Sequence, residues 1–191
     1  MAHNDTGTFL SYWQALRRKA GQTPLRSDLD PIQLKGLLPS AFMLTARDGF
    51  RFRLIGERVE RLHGTHLKGR TFAALFGEAH AALVVASLTL ARQREEAVRL
   101  KVHVPLETMD VTGELMLVPL RNDKGLVDRF AGVYALHSGW PPHFNSVHPL
   151  DIEAPLAGKL SLLAAQIESP QTAAPNGQTR LIVLNDRRRV A

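Results

Sequence analysis

The sequence contains no cysteine, few aromatic residues and no long apolar run. The absence of thiols excludes disulfides, zinc–thiolate sites, iron–sulfur clusters and a cysteine nucleophile. The longest uncharged apolar stretch, residues 79–91, is too short to span a bilayer, which needs about 20 residues. Residues 1–7 are polar and carry no basic-then-apolar leader pattern. We therefore expect a soluble, cytoplasmic protein that has no membrane partner.

The net charge of +6 is unevenly distributed along the 191 residues. Residues 41–169 hold 15 Lys and Arg against 14 Asp and Glu, whereas residues 170–191 hold four against one. A domain that binds nucleic acid usually spreads its cations over one face, and here half of the excess lies in a short basic end. We therefore do not expect nucleic-acid binding, although a basic nucleic-acid-binding regulator stays open as the weakest alternative.

Residues 97–138 have the pattern of three successive antiparallel strands. In the first strand apolar and polar residues alternate, which is typical of a strand with one buried and one solvated face. Its apolar positions are Val98, Leu100, Val102, Val104 and Leu106. Residues 115–120 are apolar throughout, and a turn-forming segment at 122–125 separates them from a third strand at 130–136.

The segment before this meander supplies two more strands and several helices. Residues 42–46 and 50–55 flank Asp48 and Gly49, which predict a hairpin because an Asp-Gly pair accommodates positive φ angles. After Gly56 the apolar spacing becomes helical and predicts short helices near residues 59–63 and 71–77, then a long helix over 78–94. The order predicts an α+β domain whose five-stranded antiparallel sheet is covered on one face by short helices and one longer helix.

Near the N-terminus, large apolar residues recur at helical spacing. They are Phe9, Tyr12, Trp13 and Leu16. Thr8 as an N-cap and Gly21 as a stop predict an amphipathic helix of about three turns between them. Its apolar stripe either folds back onto the chain's own sheet or forms a contact with a partner, and both interpretations stay open.

The lead-in that follows this helix carries two aspartates. Asp30 before Pro31 predicts the start of a short helix that ends near residue 38. Because no third carboxylate or histidine lies at ligand spacing, we interpret Asp28 and Asp30 as capping residues, with a salt bridge to Arg26, and not as metal ligands.

Several patches, in this order, resemble a family of short bacterial stand-alone PAS-like proteins. The patches are Tyr12–Trp13, residues 26–31 (RSDLDP), residues 37–39 (LLP), residues 52–56 (FRLIG) and residues 67–72 (LKGRTF). The resemblance extends from residue 8 to about residue 138 and implies a PAS fold with a role in sensing or in signalling between proteins. It predicts a disordered N-terminus at 1–7, a helix and lead-in at 8–39, the PAS-like domain at 40–138 and a mostly irregular tail at 139–191.

The PAS interpretation yields two sets of candidate site residues. The candidates for a ligand pocket in the cup under the helices are Phe52, Leu54, Phe72, His80, Leu83, Leu88, Val102, Val118 and Tyr134. The candidates for a partner surface are Phe9, Tyr12, Trp13 and Leu16. Whether the cup is a ligand pocket or a packed core stays open, because the same apolar residues serve both.

The sequence identifies no catalytic residue, metal site or cofactor. It has no Gly-rich phosphate loop, no Gly-x-Ser-x-Gly motif and no kinase signature, so we do not expect an enzyme. Neither the pair His63 and His66 nor the pair His143 and His148 has the context of a zinc site. His80 begins the helix that lines the cavity in PAS folds, where haem-binding members supply an axial histidine, so a haem or small-molecule sensor is an alternative.

We expect a regulatory protein that transmits its signal through another chain. The sequence has no kinase, cyclase or helix-turn-helix segment after the PAS-like region, so a protein partner is expected to carry the output activity. A homodimer is a further alternative that the sequence leaves open.

Overall fold

A computed structural model describes residues 5–105, 110–140 and 149–152. Its helices are α1 (Asp5–Ala20), α2 (Glu57–His63) and α3 (Glu78–Arg94), with 3-10 helices at Arg26–Asp28, Leu38–Ser40 and Phe72–Leu75. Its strands are β1 (Ala41–Thr45), β2 (Phe52–Ile55), β3 (Val98–Pro105), β4 (Asp110–Arg121), β5 (Val127–Leu136) and β6 (Asp151–Ile152). Among the described residues, none of the helices has the length and hydrophobicity of a membrane span.

The strands form one antiparallel sheet in the order β2-β1-β5-β4-β3-β6. The five predicted strands are confirmed. The two residues of β6 pair with Val102 and His103 of β3, which adds a short edge strand that the sequence did not indicate. Residues 141–148 and 153–191 of the predicted tail, among them an apolar segment at 181–184, lie outside the described residues.

The alternation in β3 places its apolar residues on the inner face of the sheet, under α2 and α3. Val98, Leu100, Val102 and Val104 are each 0% exposed. They belong to an inner core that also includes Val59 and Leu62 of α2 and Val84 and Leu88 of α3. The period-two pattern therefore identified the buried face of this strand correctly.

The turn between β1 and β2 has a strained backbone. Asp48, Gly49 and Phe50 have φ angles of 56°, 79° and 54°, so two residues with a side chain adopt the left-handed region. Phe50 is nevertheless buried, and its ring lies edge-on to Phe130 with centroids 5.9 Å apart. Burial of this ring offsets the backbone strain and helps to hold the turn in one conformation.

The predicted N-terminal helix, the short helix near residues 59–63 and the long helix over 78–94 are confirmed, and the other helix predictions differ from the structure. The predicted segment 71–77 forms only a 3-10 helix at Phe72–Leu75. Residues 31–37 form hydrogen-bonded turns in place of the predicted helix, and a 3-10 helix follows at Leu38–Ser40. Because α1 begins at Asp5 and buries Thr6, the expectation of disorder over residues 1–7 is wrong for residues 5–7.

The two aspartates of the lead-in accept backbone hydrogen bonds. Asp28 Oδ2 accepts one from the N–H of Leu25 at 2.8 Å, and Asp30 Oδ1 accepts one from the N–H of Ile32 at 2.9 Å. The expected salt bridge between Asp28 and Arg26 is not formed in the described part of the chain. The aspartates therefore fix turns, which is the capping role expected of them.

Helix α1 packs on the outer face of the chain's own sheet, over β4 and β5. Phe9 and Trp13 are each 2% exposed and belong to an outer core that includes Met116, Val118, Leu120, Ala131 and Val133. The indole N–H of Trp13 donates to the carbonyl of Pro119 at 3.0 Å, and Arg17 Nη1 donates to the carbonyl of Glu95 at 2.9 Å. The sheet is therefore covered on both faces where α1 crosses it.

This packing corrects the prediction of a partner surface on α1. Phe9 and Trp13 expose almost no surface while the helix stays docked, because the sheet already buries both side chains. Tyr12 and Leu16 are half-buried at the flank of the helix. The hydroxyl of Tyr12 accepts a hydrogen bond from the N–H of Asp30 at 2.8 Å, so Tyr12 holds the lead-in against α1.

Candidate functional site

Most of the predicted pocket residues meet in the inner core. Phe52, Phe72, Leu88, Val102 and Tyr134 are each at most 1% exposed and belong to the same cluster. Two further candidates lie at its margin. Leu83 is half-buried against this core, and His80 is half-buried in the first turn of α3.

Leu54 is not in the cup, although its spacing from Phe52 suggested that both face inward. A β-bulge between Met43 and Leu44 changes the pairing with β2: Leu44 pairs with Phe52, whereas Met43 pairs with Leu54. Leu54 therefore lies beside Met43 on the outer face and is 63% exposed. The pocket prediction is wrong for this residue.

Val118 is also wrongly assigned to the cup. It is 0% exposed, but it lies in the outer core beneath Phe9 and Trp13 of α1. Its neighbours Leu115 and Leu117 belong to the inner core. Strand β4 is apolar on both faces because helices cover both of them, so alternation gave no sign of which residues face inward.

One end of the cup is filled by phenylalanine rings. Phe72 has its centroid 5.6 Å from Phe42, 5.8 Å from Phe52 and 5.4 Å from Phe76. Phe42 packs over Gly132 of β5, where an added methyl group would overlap its ring. This end of the cup is therefore a packed core, because its own rings occupy the space that a guest would need.

The other end of the cup holds two polar groups in apolar surroundings. The rings of His63 and Tyr134 have centroids 6.0 Å apart, and Trp140 lies edge-on to Tyr134 at 5.8 Å. The His63 Nε2 atom and the Tyr134 hydroxyl are buried and have no hydrogen-bond partner among the described residues. Burying a polar atom without a partner costs about 1–3 kcal/mol, so this pair marks a functional candidate inside the cup.

Burial also changes the protonation of both groups. It lowers the pKa of His63 from 6.5 to about 4, so the imidazole is neutral at pH 7. It raises the pKa of the Tyr134 hydroxyl above its ordinary value, so the phenol keeps its proton. Together they offer one hydroxyl that can donate or accept and one neutral imidazole. We call His63 and Tyr134 the polar pair.

His63 was not among the predicted site residues. The available signal was its position on the apolar face of α2 with Val59 and Leu62, both of which are 0% exposed. A histidine at such a position is buried whenever the helix packs with that face inward. The structure was needed to show that Tyr134, which lies 71 residues later in the chain, packs against it.

A second candidate site lies on the outer face, in a groove beside α1 with a volume of about 910 Å³. Its floor includes Ala41 and Met43 of β1, Leu54 of β2 and Ala131 of β5. One wall is formed by the lead-in through Leu29, Leu34 and Leu38. We call this the outer groove. Because α1 packs mainly over β4 and β5, the floor over β1 and β2 stays open.

Four cations and no acidic residue line the outer groove: Arg26, Arg53, Lys68 and Arg129. Arg129 Nη1 lies 3.4 Å from Asp128 Oδ2. The other three are exposed and form no ion pair with another described residue. The groove therefore combines an apolar floor with a positively charged rim, which no single stretch of the sequence indicates.

In the described residues no group of three or more histidines and carboxylates is arranged to hold a metal ion. His66 Nδ1 lies 3.2 Å from Glu60 Oε1 on the surface, and the side chain of His66 is 78% exposed. His143 and His148 lie outside the described residues.

Comparison with known proteins gives one family match and several weak structural similarities. A family model described as a PAS domain matches residues 1–135. The chain resembles the PAS domain of Bordetella pertussis BvgS, with 15% identity over 55% of this chain and 85% of that one and a TM-score of 0.44. It also resembles the PAS-B domain of Drosophila melanogaster Cycle, with 15% identity over 50% and 97% of the two chains and a TM-score of 0.42.

A sensory box sensor histidine kinase from Vibrio cholerae matches at 15% identity, over 55% of this chain and 90% of that one, with a TM-score of 0.41. The search of the curated proteins found no match. Similarity at these levels carries no information about ligand, partner or activity.

Proposed function

Because this chain belongs to the PAS domain family, we propose that it is a sensory and regulatory protein that acts in signal transduction through contact with another protein. The family match over residues 1–135 is the observation that carries this proposal. The partner supplies the output activity, the chain itself is not an enzyme, and it works in the cytoplasm.

Exposed apolar side chains on one side of the molecule support a protein contact. Leu54 is 63% exposed and Leu38 is 44% exposed, and both line the outer groove. Ile32, beside the groove-lining Pro31, is 83% exposed. Apolar side chains that are grouped in this way are typical of a surface that a partner covers.

The test is to capture the partner in cells and then measure its activity. We expect the full chain to retain a kinase, cyclase or other regulator under native conditions, and the purified chain to change the activity of that protein. If no protein is retained above background even after chemical cross-linking, the proposed function is wrong.

The polar pair favours a second candidate function, which is sensing of a small molecule inside the cup. A small guest that carries a donor and an acceptor would satisfy both the His63 Nε2 atom and the Tyr134 hydroxyl and remove the cost of burying them unpaired. Haem is the alternative guest, with His80 as the candidate axial ligand.

Native mass spectrometry of the purified chain tests this second function. We expect a bound small molecule whose occupancy falls in Tyr134→Phe, whereas the matched control Tyr12→Phe keeps it because the Tyr12 hydroxyl accepts from Asp30 outside the cup. Absorption spectra after addition of haem test the alternative guest. A chain that carries no small molecule, shows no Soret band and is stabilised by Tyr134→Phe would eliminate both guests.

A further inference from the structure

We propose that the outer groove binds an acidic amphipathic helix of the partner protein. This inference rests on the proposed function, because it names the part of the surface that a signalling partner uses and the chemistry of that partner.

The floor of the groove is suited to apolar anchors. Met43 and Leu54 lie side by side on the outer face because of the β-bulge, and Leu54 leaves 63% of its surface exposed. Leu38 forms part of the facing wall and is 44% exposed. An amphipathic helix presents apolar residues at intervals of three and four along one side, and such a stripe fits a groove that has an apolar floor and an apolar wall.

The rim of the groove determines the charge of its occupant. Arg26, Arg53 and Lys68 line it without an ion pair to any other described residue. Three exposed cations beside an apolar floor repel a basic segment and attract an acidic one, which gives orientation and a faster association rate. Carboxylates that flank the apolar stripe of a helix would meet these cations.

Charge disfavours the chain itself as the occupant. Residues 153–191 contain five Lys and Arg against three Asp and Glu, so this segment is basic overall. A second copy placed on the same groove by two-fold symmetry would bring identical cationic rims together. A segment of a different, acidic protein meets neither objection.

The experiment is site-specific photo-cross-linking of the full chain in cells. A benzophenone amino acid replaces Leu54 in one variant and Leu126 in the matched control, because Leu126 is also exposed, at 54%, but does not line the groove. Mass spectrometry then identifies the cross-linked peptides. We expect position 54, and not position 126, to cross-link to a segment with net negative charge and helical apolar spacing.

A synthetic peptide of that segment then supplies a quantitative test on the purified full chain. Replacing both Arg53 and Lys68 with glutamate should weaken binding by roughly tenfold or more. Each substitution removes an ion pair between the groove and a carboxylate of the peptide and puts a charge repulsion in its place. The control Lys124→Glu lies on the β4–β5 turn and should leave binding unchanged. Exchanging the acidic residues of the peptide for lysine should restore binding to the doubly reversed variant.

The possible failures of the two proposals differ. Cross-links from position 126 or elsewhere but none from position 54 would overturn the groove and leave the proposed function standing. A cross-linked segment that is basic, that comes from residues 153–191, or that belongs to a second copy would also overturn the acidic helix, as would a lipid adduct in place of a peptide. Absence of any protein cross-link, from any position, would overturn the proposed function as well.

Discussion

Replacing His63 with leucine should reduce the dependence of the chain's stability on pH. The folded chain lowers the pKa of His63 from 6.5 to about 4 because the imidazole is largely buried. Below pH 6.5 the unfolded chain takes up a proton that the folded chain does not. The stability that the neutral His63 contributes is therefore fully present above pH 6.5, and it is lost as the pH is lowered toward 4.

The two pKa values determine the magnitude of this effect. The difference between 6.5 and about 4 corresponds to about 3 kcal/mol in the free energy of unfolding. Of this, about 2 kcal/mol is lost between pH 7 and pH 5. Most carboxylates titrate below this interval, so His63 should account for a large part of the change measured there.

Urea unfolding at pH 7, 6 and 5, followed by circular dichroism, measures the effect. His63→Leu should lose about 2 kcal/mol less than the wild type over this interval. His66→Gln is the control for the removal of a histidine from the surface, where its side chain is 78% exposed. Equal losses in the wild type and in His63→Leu would refute the argument from burial.

Three further experiments test the packing described above and the ion pair between Arg121 and Glu95. Gly132→Ala should lower the free energy of unfolding by about 1–3 kcal/mol because the added methyl group overlaps a phenylalanine ring of β1. The control Gly36→Ala places its methyl group in open space and should change the free energy of unfolding little. Equal effects of the two substitutions would contradict the overlap. Trp13→Ala should cost about 3–5 kcal/mol in chemical denaturation, and a much smaller cost would mean that α1 is not docked on the sheet. A double-mutant cycle on Arg121 and Glu95, where Nη2 lies 2.7 and 2.8 Å from the two carboxylate oxygens, should give a coupling energy of about 0.5–1 kcal/mol, and additive single effects would show that the pair contributes nothing.

The order and type of the strands could be predicted from the sequence because each signal was local. Alternation in β3 identified its buried face, and Asp48 with Gly49 identified the turn between β1 and β2. These patterns arise from the geometry of a pleated strand and from the φ angles that a tight turn requires. They do not depend on which distant residues pack against them.

The assignments that failed depended on non-local packing. Leu54 was placed in the cup because a regular strand would align it with Phe52, and only the pairing with β1 reveals the bulge that turns it outward. Val118 could not be assigned to a face because α1, more than 100 residues earlier, packs over β4. The polar pair and the outer groove likewise join residues from separate elements, so neither was accessible to a reading of sequence patterns.

The position of β6 has a practical consequence for labelling. β6 and β2 occupy opposite edges of the six-stranded sheet, so five strand intervals separate them. At about 4.8 Å for each interval, a fluorophore attached at the β6 edge would lie about 24 Å from the β2 edge. That separation lies within the working range of resonance energy transfer. A donor there and an acceptor on a bound peptide would therefore report occupancy of the outer groove without a bulky dye beside it.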